Sequence, residues 1–142
     1  MQALRLLVLC ALALVMALVA TQPIVAHKEA SRVVELNSDN FEEYVHGPMK
    51  HTFVLYCVTW TRQCQTMRTL WDRLSISQSS KELRDVFTAG YVDGDKYPDI
   101  IEKMNVQGFP TSIFYTPIYP DGVEYDGSSE SYLIDSFVFQ FS

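Results

Sequence analysis

With 142 residues, the chain has room for one domain and little beside it. Apolar residues make up 48% and aromatics 13%, enough for a packed core, which excludes global disorder. A formal charge of −6 and a pI near 4.9 exclude a phosphate-backbone binder, which needs a basic face.

The N-terminus reads as a leader and not as part of the fold. A single positive charge at Arg5 precedes Leu6 to Ala20, an almost unbroken run of Leu, Val and Ala. That run has the length of a signal-peptide apolar region and is short of the roughly 20 residues a membrane span needs. The expected division is residues 1–26 as signal peptide, cut near Ala20 or Ala26, and 27–142 as one domain. An uncleaved signal anchor is the alternative, and either form places the domain in a lumen or outside the cell. Removing the segment takes away Arg5 and no acid, so 11 basic residues become 10 against 17 acidic ones. It also takes away Cys10 and leaves Cys57 and Cys64.

Ser31 to Leu36 is expected to form a first strand, and Asn37 to Asn40 to cap a short helix carrying Phe41, Tyr44 and Val45. Gly47-Pro48 ends that helix. Thr52 to Val58 is β-branched, aromatic and apolar, as a strand buried on both faces should be. From Arg62 the period changes, with Met67, Leu70, Trp71 and Leu74 sharing one helical face. Ser75 to Ser80 reads as a break, with a further helical turn at Lys81 to Val86. Phe87 to Val92 is a strand closed by Asp93-Gly94-Asp95, and Pro98 starts a helix to Met104. Ser112 to Tyr115 and Val123 to Tyr125 flank the turn signal Pro120-Asp121-Gly122. A last helix starts from Ser129 or Ser131 and buries Leu133, Ile134, Phe137 and Val138. The order β-α-β-α-β-α-β-β-α is that of an α/β domain, a central mixed sheet flanked by helices on both faces.

Three stretches carry a resemblance. Tyr56-Cys-Val-Thr-Trp60-Thr-Arg-Gln-Cys64 resembles the Phe-Tyr-Ala-Pro-Trp-Cys-Gly-His-Cys corner of protein disulfide isomerases. Val106-Gln-Gly-Phe-Pro110-Thr111 is similar to the segment that carries their cis-proline, and Tyr125-Asp-Gly127 to their closing Tyr-x-Gly. Val92-Asp93 occupies the family's Val-Asp position. Together they resemble the thioredoxin fold, and in particular the thioredoxin domains of the protein disulfide isomerase family, over roughly residues 31–142. The resemblance implies a cis bond before Pro110 and a loop there that binds extended substrate backbone.

The departures fall on the chemistry. In the family a thiolate sits at the helix N-terminus, where the dipole and free N–H groups lower its pKa. Thr61 occupies that position, and its expected role is the N-cap of the helix. The family's buried acid aligns with Leu55 and its lysine partner with Tyr91. Nucleophile, acid and lysine are replaced together, which reads as a degenerate Thr-x-x-Cys site. A helix proline is replaced at Thr69, and the segment from Cys64 to Val92 is longer than usual.

Cys64 reads either as a catalytic thiol that forms mixed disulfides, with Arg62 favouring the thiolate, or as an inert helix cysteine. Cys57 reads either as a core residue or as the partner of Cys64 in a disulfide, which requires Cα atoms within about 7 Å. Trp60, Thr61, Phe109 and Pro110 are the candidates for a peptide-binding lip, the alternative being that Trp60 and Phe109 only pack the corner. Asp93 and Asp95 read as turn residues. His27, His46 and His51 are scattered, so no metal site is expected, and no cofactor is implied.

The resulting expectation is a protein disulfide isomerase-like thioredoxin domain of the secretory pathway. It would bind unfolded or partner polypeptides and assist folding, with dithiol exchange weakened or absent. Two alternatives remain: a monothiol exchange enzyme using Cys64 alone, and a secreted adaptor that uses the fold as a scaffold. Partners would be polypeptides, not nucleic acid or metal, with a membrane involved only if the leader stays attached. The ending Val138-Phe-Gln-Phe-Ser142 is not a Lys-Asp-Glu-Leu type signal. Retention in the endoplasmic reticulum would then need a partner or the anchor, and secretion is the other outcome.

Overall fold

A computed structural model describes residues 1–20, 30–76, 87–127 and 131–141. Helix α1 spans Gln2–Ala20. Its leucines at positions 4, 6, 7, 9 and 12 are exposed, and none of these belongs to either hydrophobic cluster of the domain. The expected cut at Ala26 and the helical turn at Lys81 to Val86 lie outside the described residues.

The domain is a five-stranded sheet in the order β1-β3-β2-β4-β5. β1 is Val34–Glu35, β2 His51–Cys57, β3 Phe87–Asp93, β4 Thr111–Tyr115 and β5 Val123–Glu124. β3 runs parallel to both β1 and β2, whereas β4 is antiparallel to β2 and β5 to β4. Helices α2 (Phe41–His46), α3 (Arg62–Ile76), α4 (Pro98–Lys103) and α5 (Ser131–Phe141) cover it. Parallel strands need crossovers, and α2 and α3 supply two of the elements lying between them in the chain.

The alternation of side chains along β2 divides the core into two. Phe53, Leu55 and Cys57 join Met67, Trp71 and Leu74 of α3 and Ile134 and Val138 of α5. Val54 and Tyr56 join Phe41 and Val45 of α2 and Ile100 of α4. Helices thus cover both faces, and β2 is buried throughout except at His51. Phe53 sits at the centre of the first cluster, with the rings of Trp71, Phe114 and Phe137 at 4.7, 5.6 and 5.7 Å. The indole N–H of Trp71 donates to the Phe53 carbonyl at 3.2 Å, so even the polar edge of this large ring is satisfied.

Strand limits differ from expectation where hydrogen bonds change partner. β1 has two residues in place of six, although the Leu36 N–H still reaches the Tyr91 carbonyl at 2.8 Å. β2 ends at Cys57, because the Val58 N–H turns to the sulfur of Cys64 at 3.3 Å and leaves the ladder. Ahead of α2, the Asn37 and Asn40 side chains bond each other's backbone N–H groups; Asn40 makes no side-chain cap to the helix. The β4–β5 turn needs Gly122, whose φ of 84° and close Ile113 and Tyr115 neighbours exclude a side chain.

Candidate functional site

The site lies where β2 ends and α3 begins. The Thr61 hydroxyl accepts the backbone N–H of Cys64 at 3.2 Å, the cap expected of it. The Thr61 carbonyl accepts the Gln65 N–H at 3.1 Å, so the helical ladder opens here. Trp60 stands out from the corner, 73% exposed.

Cys57 and Cys64 are joined in a disulfide with Cα atoms 5.5 Å apart. The bridge fastens the last residue of β2 to the first turn of α3. Cys57 is 0% and Cys64 2% exposed, so neither sulfur lies open on the surface. Of the two readings open for Cys57, the structure holds the bridged one.

Leu55 and Tyr91, the positions aligned with the family's acid and lysine, are direct register partners on β2 and β3. Both are buried in the cluster that contains the two cysteines. The Arg68 guanidinium lies over the Tyr91 ring, 4.1 Å from its centroid. Burial pushes the Tyr91 phenol above its ordinary value and the Asp93 carboxylate adds to this, while Arg68 acts the other way. Leu55 has no titratable group, and the Tyr91 phenol stays protonated at neutral pH, so neither position supplies the carboxylate or the ammonium of the family's site.

The Phe109–Pro110 bond is cis. Pro110 and Ser112 form one wall of a groove of about 710 Å³. Arg62, Gln63, Thr66 and Met67 of α3 form the opposite wall, and Glu124 to Gly127 close the end. Of the four residues expected in a peptide-binding lip, only Pro110 lines this groove. Phe109 instead packs against both core clusters. Its ring sits against Gly94, where an added Cβ would come within 2.7 Å of it. Gly94 in turn donates its N–H to the Cys57 carbonyl at 2.7 Å.

The groove residues Thr66, Met67, Glu124, Tyr125, Asp126 and Gly127 were not among the site residues expected from sequence. Tyr125-Asp-Gly127 was a usable signal, since it was already a motif of the resemblance; what sequence lacked was its position opposite α3. Asp93 is a turn residue, its carboxylate accepting the N–H groups of Asp95 and Lys96 at 3.0 and 3.4 Å. Among the described residues no three His, Cys, Asp or Glu side chains gather at metal-binding distance. His46 instead pairs with Glu42 at 2.9 Å.

A mixed sheet in this order, a helix with the bridged cysteine in its first turn and a cis-proline across the groove from that helix make up the frame. The thioredoxin family profile matches residues 32–139. The chain belongs to the thioredoxin family. Its thioredoxin domain is 32% identical over 108 residues to the rice protein named protein disulfide isomerase-like 2-2, covering 76% of this chain and 28% of that one. It is likewise 32% identical over 108 residues to a probable protein disulfide-isomerase A6 of Medicago sativa. The chain therefore spans less than a third of the length of these two relatives. Human ERp44, form II, has the same fold at a TM-score of 0.68 and 20% identity, over 84% of this chain and 32% of that one. A chloroplastic thioredoxin z matches at 0.63 and 18%, over 77% of this chain and 93% of its own.

Proposed function

We propose that this thioredoxin domain works in the secretory pathway as a protein disulfide isomerase-like folding factor that holds extended polypeptide. It does so without the dithiol exchange of a Cys-x-x-Cys corner. The observation that carries the reading is the pairing of an open groove beside cis-Pro110 with a helix N-terminus capped by the Thr61 hydroxyl. A hydroxyl at that position makes no disulfide, and the one sulfur in the Thr61-x-x-Cys64 motif is buried and bonded. Trp60 does not line the groove, but its ring stands exposed at the corner from which α3 starts and offers a second apolar contact for a client. Residues 1–26 act as the leader, cut near Ala20 or Ala26, and the clients are unfolded or partner polypeptides. The names of the relatives and the ERp44 likeness support an endoplasmic reticulum or secretory location.

Binding of a reduced, unfolded reporter protein tests this directly. Trp60 emission should shift on binding while buried Trp71 stays silent. Pro110→Ala should weaken binding, and Cys64→Ser should leave it unchanged. In insulin reduction, wild type and Cys64→Ser should both stay near background, with Thr61→Cys gaining turnover. Absence of polypeptide binding by wild type would overturn the holding function. Wild-type insulin turnover that disappears in Cys64→Ser would replace it with the monothiol enzyme.

A further inference from the structure

The groove beside cis-Pro110 carries charge of both signs, unevenly placed. Glu124 and Asp126 stand at its end, Arg62 belongs to the α3 wall, and Met67 and Pro110 supply apolar surface. All three charged side chains are exposed. Among the described residues none of the three makes an ion pair; the pairs seen are His46–Glu42, Arg68–Asp72, Lys96–Glu35 and Lys103–Glu42. Tyr125, between the two acids, is held from behind. Its backbone N–H donates to the Ser112 carbonyl at 2.8 Å, and its ring packs against Phe53 and Phe137 at 6.2 and 5.0 Å. The backbone that carries both carboxylates is thus anchored to the sheet and the core, while the carboxylates themselves are open to a ligand.

We propose that this groove selects cationic polypeptide: extended segments in which a lysine or arginine lies two positions from an apolar residue, with Glu124 and Asp126 receiving the cation. The inference rests on the holding function proposed above and names the client chemistry for it. Alternate residues of an extended chain point the same way, so both side chains of such a segment enter the groove together. The apolar one seats on Met67 and Pro110. The basic one lays its methylene stem along the wall and brings its charged head to the carboxylates. An acidic segment meets two carboxylates against one guanidinium and is disfavoured. The whole chain acts in the same direction, because its formal charge of −6 attracts a cationic segment before contact and repels an acidic one. Exposed ion pairs are individually weak, so the two carboxylates together are expected to give about fivefold in affinity, and salt should erode it.

The test uses labelled peptides that share one extended apolar sequence and carry lysine, glutamine or glutamate two positions from a central phenylalanine. Fluorescence anisotropy with the full chain at low salt should rank them lysine, glutamine, glutamate, lysine binding about fivefold tighter than glutamine. In the double variant Glu124→Gln with Asp126→Asn, the lysine-to-glutamine ratio should fall close to one. Asp39→Asn with Glu102→Gln removes the same formal charge from exposed positions outside the groove and should keep the ratio. Glu124→Lys should favour glutamate over lysine, which gives a second reading should the double variant fail to fold. Equal wild-type affinity for the lysine and glutamine peptides would overturn the charge selection and leave the holding function standing. An equal fall of the ratio in both double variants would also overturn it, since net charge alone would then explain the ranking. Binding of none of the three peptides would remove the holding function and this inference together.

Discussion

Along β2, alternate residues serve two cores of different chemistry. Toward α3 and α5 the strand presents Phe53, Leu55 and Cys57, held by aromatic rings and a covalent bond. Toward α2 and α4 it presents Val54 and Tyr56, and there the phenols of Tyr56 and Tyr115 meet at 2.8 Å. Among the described residues, neither cluster buries a carboxylate or an ammonium group: the ionisable side chains buried in them are phenols, Tyr91 on the first face and the Tyr56–Tyr115 pair on the second. A buried phenol is tolerated because it stays neutral and its hydroxyl has a partner. A buried carboxylate or ammonium at Leu55 or Tyr91 would need chemistry to justify its desolvation.

The largest expected effect lies on the side facing α3. Trp71→Ala removes a fully buried ring stacked near Phe53 and leaves the Phe53 carbonyl without its indole donor. A loss of about 3–5 kcal/mol is expected from urea unfolding. A loss below about 1 kcal/mol would mean that the α2 side carries the domain.

The second prediction concerns the phenol pair. Burial raises both phenols, Tyr115 to about 12 and Tyr56 beyond it. In the unfolded chain each ionises near pH 10. Below pH 10 both states hold their protons and the contribution is complete. As pH rises from 10 toward 12 the unfolded chain sheds protons that the folded one retains, so stability falls by roughly 1.4 kcal/mol per pH unit for each phenol. Urea midpoints measured at intervals from pH 8 to 11 should show this decline, and Tyr56→Phe should reduce its slope. An equal slope in the variant would locate the alkaline sensitivity elsewhere.

The smallest effect belongs to the corner between the faces. Thr61→Ala removes the hydroxyl that accepts the Cys64 N–H and should cost about 1 kcal/mol. Thermal unfolding of wild type and variant under identical oxidising conditions measures it. A neutral result would show that the bridge alone holds the first turn of α3.

Much of this frame was legible in sequence because it rests on local signals. The switch in apolar period at Arg62, Pro98 at the start of α4 and the Pro120-Asp121-Gly122 turn each place an element without tertiary information. The cis bond before Pro110 was legible only through the family resemblance, since no local preference of a Gly-Phe-Pro sequence requires it. The orientation of Phe109 was not legible: an aromatic beside a site proline reads as a lip until Gly94 is seen under its ring. The bridge was open for a related reason. Six residues separate Cys57 from Cys64, and whether they converge depends on how tightly the chain turns at Trp60. The short β1 was missed because Ser31 to Val33 have strand-like residues but lie beyond the last pairing with β3.

Gly94 has one further consequence. Its N–H holds the carbonyl of Cys57, and its missing side chain makes room for the ring that precedes Pro110. The sulfur bridge and the proline wall of the groove therefore lean on one atom-sized gap. Filling it with a single methyl group would push on the end of β2 and on the proline loop together, so neither could be tuned by mutation at this position without retuning the other.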